Sequence, residues 1–135
     1  MSYRYARTSR FLLATLCALY ATSPLSAQAI DPAKSYREAQ ALMANGEIYR
    51  AVDALMAATA ANPAYADAWA ALAQCHYELR EYERSLEFLA QAVRYGPRTN
   101  EIMDLEGFCY LAVGRLDDAR ASFSAAIAKL PGDRD

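Results

Sequence analysis

Three prolines, Pro63, Pro97 and Pro131, recur at an interval of 34 residues. A fixed period of that length constrains a chain more than any local motif does. It implies modules too thin to bury their own apolar faces, which become stable by stacking on one another. Aligning on the prolines divides the chain into residues 32–65, 66–99 and 100–133 with no insertion or gap. Other columns keep the same register. Small residues recur at Ala39, Ala73 and Gly107, at Ala51, Ser85 and Ala119, and at Ala58, Ala92 and Ala126. Large apolar residues recur at Leu55, Leu89 and Phe123. One spaced pair is easily coincidence; several columns held over three copies are not.

Inside each module the pattern is helical. Asp31-Pro32 supplies an N-cap and a first-turn proline for an opening helix. Asn45-Gly46 interrupts it, and Ile48 to Ala61 resumes with Val52, Leu55, Met56 and Thr59 on one face. Asn62-Pro63 closes that helix, because a residue before proline is pushed out of helical geometry. Tyr95-Gly96-Pro97 and Val113-Gly114 punctuate the later modules in the same way. Each module therefore reads as a helix, a tight turn and a second helix, and nothing reads as a strand. The small columns have a steric reason. Antiparallel helices at the usual separation of about 8–10 Å touch closely only where side chains are small. Ala39, Ala73 and Gly107 are expected where the two helices of one module cross, and Ala58, Ala92 and Ala126 where the second helix meets the next module.

The first 29 residues stand outside this pattern. Arg4, Arg7 and Arg10 precede a short apolar run, Phe11 to Ala21, and the segment ends in Ala27-Gln28-Ala29 before Ile30. That order of basic start, apolar block and A-x-A pattern reads as a secretory signal peptide over residues 1–29, leaving a domain over 30–135. The run is shorter than the roughly 18–20 residues needed to span a bilayer, so no membrane span is expected in the mature form. A mitochondrial presequence is the alternative, since the segment carries arginine and no acid. Cys17 lies inside the run after Leu16, where a lipid-attachment box would need a small residue. Of the 14 Lys and Arg residues three belong to this leader, whereas all 16 Asp and Glu residues follow it. The domain is thus net acidic, which disfavours nucleic acid and anionic membranes as partners.

With these columns in place, the chain resembles the tetratricopeptide repeat family, whose signature runs aromatic, Leu-Gly/Ala, aromatic, then Ala, Phe, Ala and a closing Pro. The second module carries Trp69, Leu72-Ala73, His76, Ser85, Leu89, Ala92 and Pro97. The third carries Gly107, Tyr110, Ala119, Phe123, Ala126 and Pro131, and the first Ala39, Leu42, Ala51, Leu55, Ala58 and Pro63. The match departs at Glu38 and Glu106, where the family prefers Leu, and at Ser35, where it prefers a large side chain. The resemblance implies an all-α fold: a right-handed α-solenoid of three helix hairpins, six helices in all, with the opening helices lining a concave side.

Trp69, Cys75 and His76 lie close together in the second module and invite a reading as a reactive or metal site. The columns favour packing instead. His76 shares its position with Leu42 and Tyr110, and a metal site would need three or four ligands. Cys75 and Cys109 share one column a module apart, so stacking should hold them about 10 Å from each other. A disulfide needs Cα atoms within about 7 Å, so two buried free thiols are expected. A nucleophile–base–acid set would have to use the single histidine, and the glycines form no phosphate-cradling loop. No enzymatic activity, cofactor or metal is expected.

Positions i, i+4 and i+7 of the opening helices give the expected groove: Tyr36, Gln40 and Met43, then Ala70, Gln74 and Tyr77, then Asp104, Phe108 and Leu111. Asp67, Glu78 and Glu101 edge it. This surface suits a protein segment with apolar anchors and basic flanks. Some family members grip a C-terminal carboxylate with Lys, Arg and Asn; the matching positions here hold Tyr36, Gln40, Ala70, Gln74 and Asp104, so that clamp is not carried over. A second surface is expected at the C-terminal edge, Phe123, Ile127 and Leu130, where arrays normally place a polar capping helix. The expected function is an exported adaptor, periplasmic or secreted in a bacterial envelope. The resemblance suggests assembly of a cell-envelope, secretion or pilus complex. The alternatives are a structural subunit docked through the uncapped edge, self-association through it, or an accessory domain of an enzyme complex.

Overall fold

The computed structural model describes residues 29–129. They form α1 (Pro32–Ala44), α2 (Ile48–Ala61), α3 (Ala66–Glu78), α4 (Tyr82–Tyr95), α5 (Asn100–Ala112) and α6 (Leu116–Lys129), with no strand among the described residues. Consecutive helices pair as hairpins, and each hairpin packs on the next in chain order through α2 against α3 and α4 against α5. The leader, apart from Ala29, lies outside the described residues, as do Leu130 and Pro131.

Local chemistry accounts for the helix ends. The Asp31 carboxylate accepts the Ala33 N–H at 3.0 Å, with Pro32 in the first turn. Thr99 plays the same part for α5, accepting from the Ile102 N–H at 3.4 Å. The three hairpin turns are built alike. In each, one residue takes a left-handed conformation: Gly46 at φ 77°, Arg80 at φ 63° and Gly114 at φ 78°. The residue after it donates its N–H five positions back, Glu47 to Leu42, Glu81 to His76 and Arg115 to Tyr110, at 2.9, 2.9 and 2.8 Å. This is the Schellman closure, which satisfies the last carbonyls of the first helix. Two modules place glycine where the backbone demands it; the second places an arginine there and bears the steric strain.

Packing within each hairpin follows the small columns. Ala39, Ala73 and Ala51 are fully buried, and Ala119 nearly so. A Cβ on Gly107 would lie 2.5 Å from the Phe123 ring, so glycine leaves room for the outer end of that ring against α5. Ser85 Oγ donates to the Ala73 carbonyl at 2.7 Å, and the Cys109 thiol donates to Ser85 Oγ at 3.3 Å. One chain of buried polar contacts thus runs from α5 through α4 to α3.

Between hairpins the core is shared. Ala39, Leu42, Ala51, Leu55 and Ala58 form one cluster with Ala68, Leu72 and Cys75 of the second module. Ala73, Leu89 and Ala92 join Ile102 of the third. Trp69 and Phe88 pack against both clusters and stack on one another, with ring centroids 5.9 Å apart. The two departures from the leucine column resolve differently. Glu38 is exposed, whereas Glu106 is mostly buried and accepts from the Arg98 guanidinium, with Arg98 Nε at 3.1 Å. Leu105 takes over the neighbouring packing against the second cluster.

Gly96 ends α4 with φ −149°, an extended conformation open to any residue, so backbone freedom is not why it is glycine. A Cβ there would lie 2.6 Å from the Ala66 Cβ on the first turn of α3. The two glycine-related positions should therefore respond in opposite directions. Arg80→Gly relieves a left-handed arginine and should raise stability by about 0.5–1 kcal/mol once glycine's own entropy is counted. Gly96→Ala overpacks two helix ends and should lower it by about 1–3 kcal/mol. The midpoints of urea unfolding report both, and two shifts of the same sign would contradict the assignment.

Candidate peptide-binding groove

Because each module begins with its opening helix, stacking sets α1, α3 and α5 side by side on one flank of the array. Between them lies a cleft of about 650 Å³. Of the positions expected to line it, Tyr36, Ala70, Gln74, Tyr77, Asp104 and Phe108 do so. Gln40, Met43 and Leu111 fall outside the lining. Gln40 is exposed, Met43 packs against the first core cluster, and Leu111 is 47% exposed.

The floor contains residues the stripe pattern missed. Ile102, nearly buried, and Leu105 form its apolar base, and Pro97 and Thr99 close one end. The available signal was Glu106: with a carboxylate in the leucine column, a neighbouring leucine had to turn inward. The rim is aromatic. Tyr36 stands against Tyr65 with centroids 5.1 Å apart, Tyr77 meets Tyr82 edge-on at 5.6 Å, and Phe108 meets Phe123 edge-on at 5.2 Å. Phe108 remains 49% exposed.

Charge in the cleft has one sign. Asp67, Glu78, Glu101 and Asp104 line it, and no Lys or Arg does. Their field is felt locally: burial pushes the Tyr36 hydroxyl above its ordinary value, and the Asp67 carboxylate pushes it further. The Glu101 carboxyl is held below its usual range by a backbone N–H and by the Thr99 hydroxyl.

The cluster of Trp69, Cys75 and His76 lies on the packed side. Trp69 Nε1 donates to the Pro63 carbonyl at 2.8 Å, fastening the second module to the turn before it. His76 is 5% exposed, with its ring 4.9 Å from that of Phe88. Its Nδ1 lies 2.7 Å from Glu81 Oε2. This hydrogen bond holds the Glu81 carboxyl below its ordinary range, and since an ionised carboxylate only accepts, Nδ1 carries the proton. His76 thus braces the turn that contains Arg80, a contact that the column of Leu42 and Tyr110 gave no hint of. Cys75 and Cys109 are buried and unbridged. Among the described residues no three His, Cys, Asp or Glu side chains gather as metal ligands.

At the C-terminal edge Ile127 is 68% exposed, whereas Phe123 is half-buried against Gly107 and Phe108, so its ring belongs to the hairpin's own packing. Leu130 lies outside the described residues. No helix among the described residues is long and apolar enough to cross a membrane.

Stacked hairpins with a groove along their opening helices define an all-α repeat solenoid. Residues 36–98 match the family model described as tetratricopeptide repeat. No curated protein matches the sequence. Among solved structures, a crystal structure of MamA is similar, with 25% identity and a TM-score of 0.71, over 76% of this chain and 60% of that one. The chain thus spans less than two thirds of MamA. The second repeat domain of Spaghetti (RPAP3), bound to the HSP90 peptide SRMEEVD, is 18% identical at a TM-score of 0.70, over 74% of this chain and 93% of that one. The second repeat domain of human RPAP3, in complex with the HSP70 peptide SGPTIEEVD, is 19% identical at 0.69, over 77% and 90%.

Burial pushes the Cys75 thiol up to about 11, with the Glu78 carboxylate adding to it, and burial raises Cys109 as well. A thiol so placed is a poor nucleophile at neutral pH. Alkylation of both should therefore proceed only as fast as the fold opens, and urea should accelerate it sharply. Labelling by iodoacetamide, read by mass spectrometry of the two peptides, checks this; rapid native labelling of either would contradict the packing.

Proposed function

We propose that the chain is an exported, non-enzymatic adaptor that seats a segment of another protein in the cleft between α1, α3 and α5. One observation carries this reading: Tyr36, Tyr77 and Phe108 border an open cleft whose floor is apolar, and neither Tyr77 nor Phe108 is used by the shared cores between hairpins. An open apolar cleft with aromatic anchors is the kind of surface on which a few side chains supply most of the binding energy. The repeat domains of RPAP3, similar in fold, were determined with peptides bound, which supports the same use here. The one histidine is engaged by Glu81 and packed against Phe88, which supports a non-enzymatic role.

The basic start, apolar block and A-x-A pattern of residues 1–29 support export, and with it a periplasmic or secreted location. Assembly of a cell-envelope, secretion or pilus complex is the setting that such an adaptor serves.

A second reading is docking through the outer face of α6, favoured by the exposure of Ile127. Because Phe123 packs within its own hairpin, Ile127→Glu tests docking without disturbing the core. Capture of partners from envelope extract separates the two. Tyr77→Ala with Phe108→Ala should weaken capture about a thousandfold, as loss of two anchors of about 2 kcal/mol each implies. Ile127→Glu should leave it intact, and the bait recovered from that fraction should begin at Ile30. The reverse pattern would establish the α6 reading, and a bait absent from the envelope fraction would remove export.

A further inference from the structure

We propose that the groove selects cationic segments: its occupant is a stretch of another protein in which Lys or Arg flanks an aromatic or branched aliphatic anchor. This rests on the groove being the binding surface and adds the chemistry of what it binds.

The inference comes from what the cleft contains and omits. Four carboxylates, Asp67, Glu78, Glu101 and Asp104, come from two helices and face one space. No lining residue is basic. Arg98, which lies between the lining residues Pro97 and Thr99, is engaged by the mostly buried Glu106, and its carbonyl receives the Lys129 ammonium. The carboxylates therefore have no internal counterion in the cleft, and their mutual repulsion falls when a cation enters. A cleft with low-dielectric walls and charges of one sign concentrates counterions and steers their approach.

The remaining lining points to the same chemistry. Tyr36, Tyr77 and Phe108 line the same cleft as the carboxylates. A guanidinium or ammonium is attracted both by a carboxylate and by an aromatic face, and the two together favour Arg over an uncharged side chain. Ile102 and Leu105 on the floor leave an apolar seat for one anchor between the cations. By the same reasoning an acidic peptide meets like charge. SRMEEVD, carried by the RPAP3 domain of similar fold, sets two glutamates, an aspartate and a terminal carboxylate against one arginine, and this net negative segment is repelled by the site.

Panning a random dodecapeptide library on the full chain tests this, with synthetic SRMEEVD as the acidic probe. Recovered peptides should be enriched in Lys or Arg beside an aromatic or aliphatic residue. Their affinity should fall about tenfold or more as salt rises from about 0.05 M to about 0.5 M. SRMEEVD should not bind. Glu78→Lys with Asp104→Lys, at exposed helix positions where lysine is tolerated, should keep the circular dichroism of the parent and shift recovery toward acidic peptides. Peptides that lack a basic bias yet depend on Tyr77 and Phe108 would overturn the charge assignment and leave groove binding standing. Recovery indifferent to Tyr77→Ala with Phe108→Ala, or no recovery at all, would overturn both.

Discussion

The structure depends on close approach between helices that are individually too slight to bury a core. Where α3 meets α4, Ala73 and Ser85 have no exposed surface, and the serine hydroxyl reaches the Ala73 carbonyl directly. Where α5 meets α6, contact is closer still, with the Phe123 ring pressed on the bare backbone of Gly107. Such contacts let Leu55, Leu72 and Leu89 be completely enclosed in a domain only two helices thick. Since interiors are packed as tightly as organic crystals, small residues at the crossings decide where every larger side chain can go.

The middle hairpin carries most of the coupling. Its Trp69 and Phe88 rings touch the clusters on both sides, its Ser85 receives the thiol of α5, and its tryptophan nitrogen holds the turn preceding it. The outer hairpins each have one stacking neighbour among the described residues, while the second has two. This arrangement leaves the groove centred on α3, the helix whose position is fixed most firmly. Pre-positioned anchors lose little freedom on binding, so rigidity at α3 favours an affinity set by contacts rather than by ordering.

Much of this was legible before any coordinates. The 34-residue period gave the number of hairpins, Asn62-Pro63 gave the end of α2, and the alanine columns gave the crossings, because each is a local or periodic property. The groove was legible in part. Six of nine stripe positions line the cleft, but Met43 packs on the core, and Gln40 and Leu111 are exposed outside the lining. What escaped notice depends on segments brought together only by folding. Gly96 reads as a helix stop and does end α4, but what requires a glycine there is clearance for Ala66; Glu106 looked like a flaw in the leucine column and proves to be the partner of Arg98. The brace between His76 and Glu81 occurs in one module alone, and a reading built on repetition has no means of finding it.

The shared step at which each hairpin turns left-handed has a wider consequence. Gly46, Arg80 and Gly114 close the three hairpins alike, and a change of one whole 34-residue unit keeps the register of every helix. A shorter insertion or deletion inside a helix has no such freedom. Each residue added or removed rotates everything beyond it by about 100° and would swing a stripe of carboxylates from the inner flank to the outer one. Length in this architecture can change by the module, and scarcely at all by the residue.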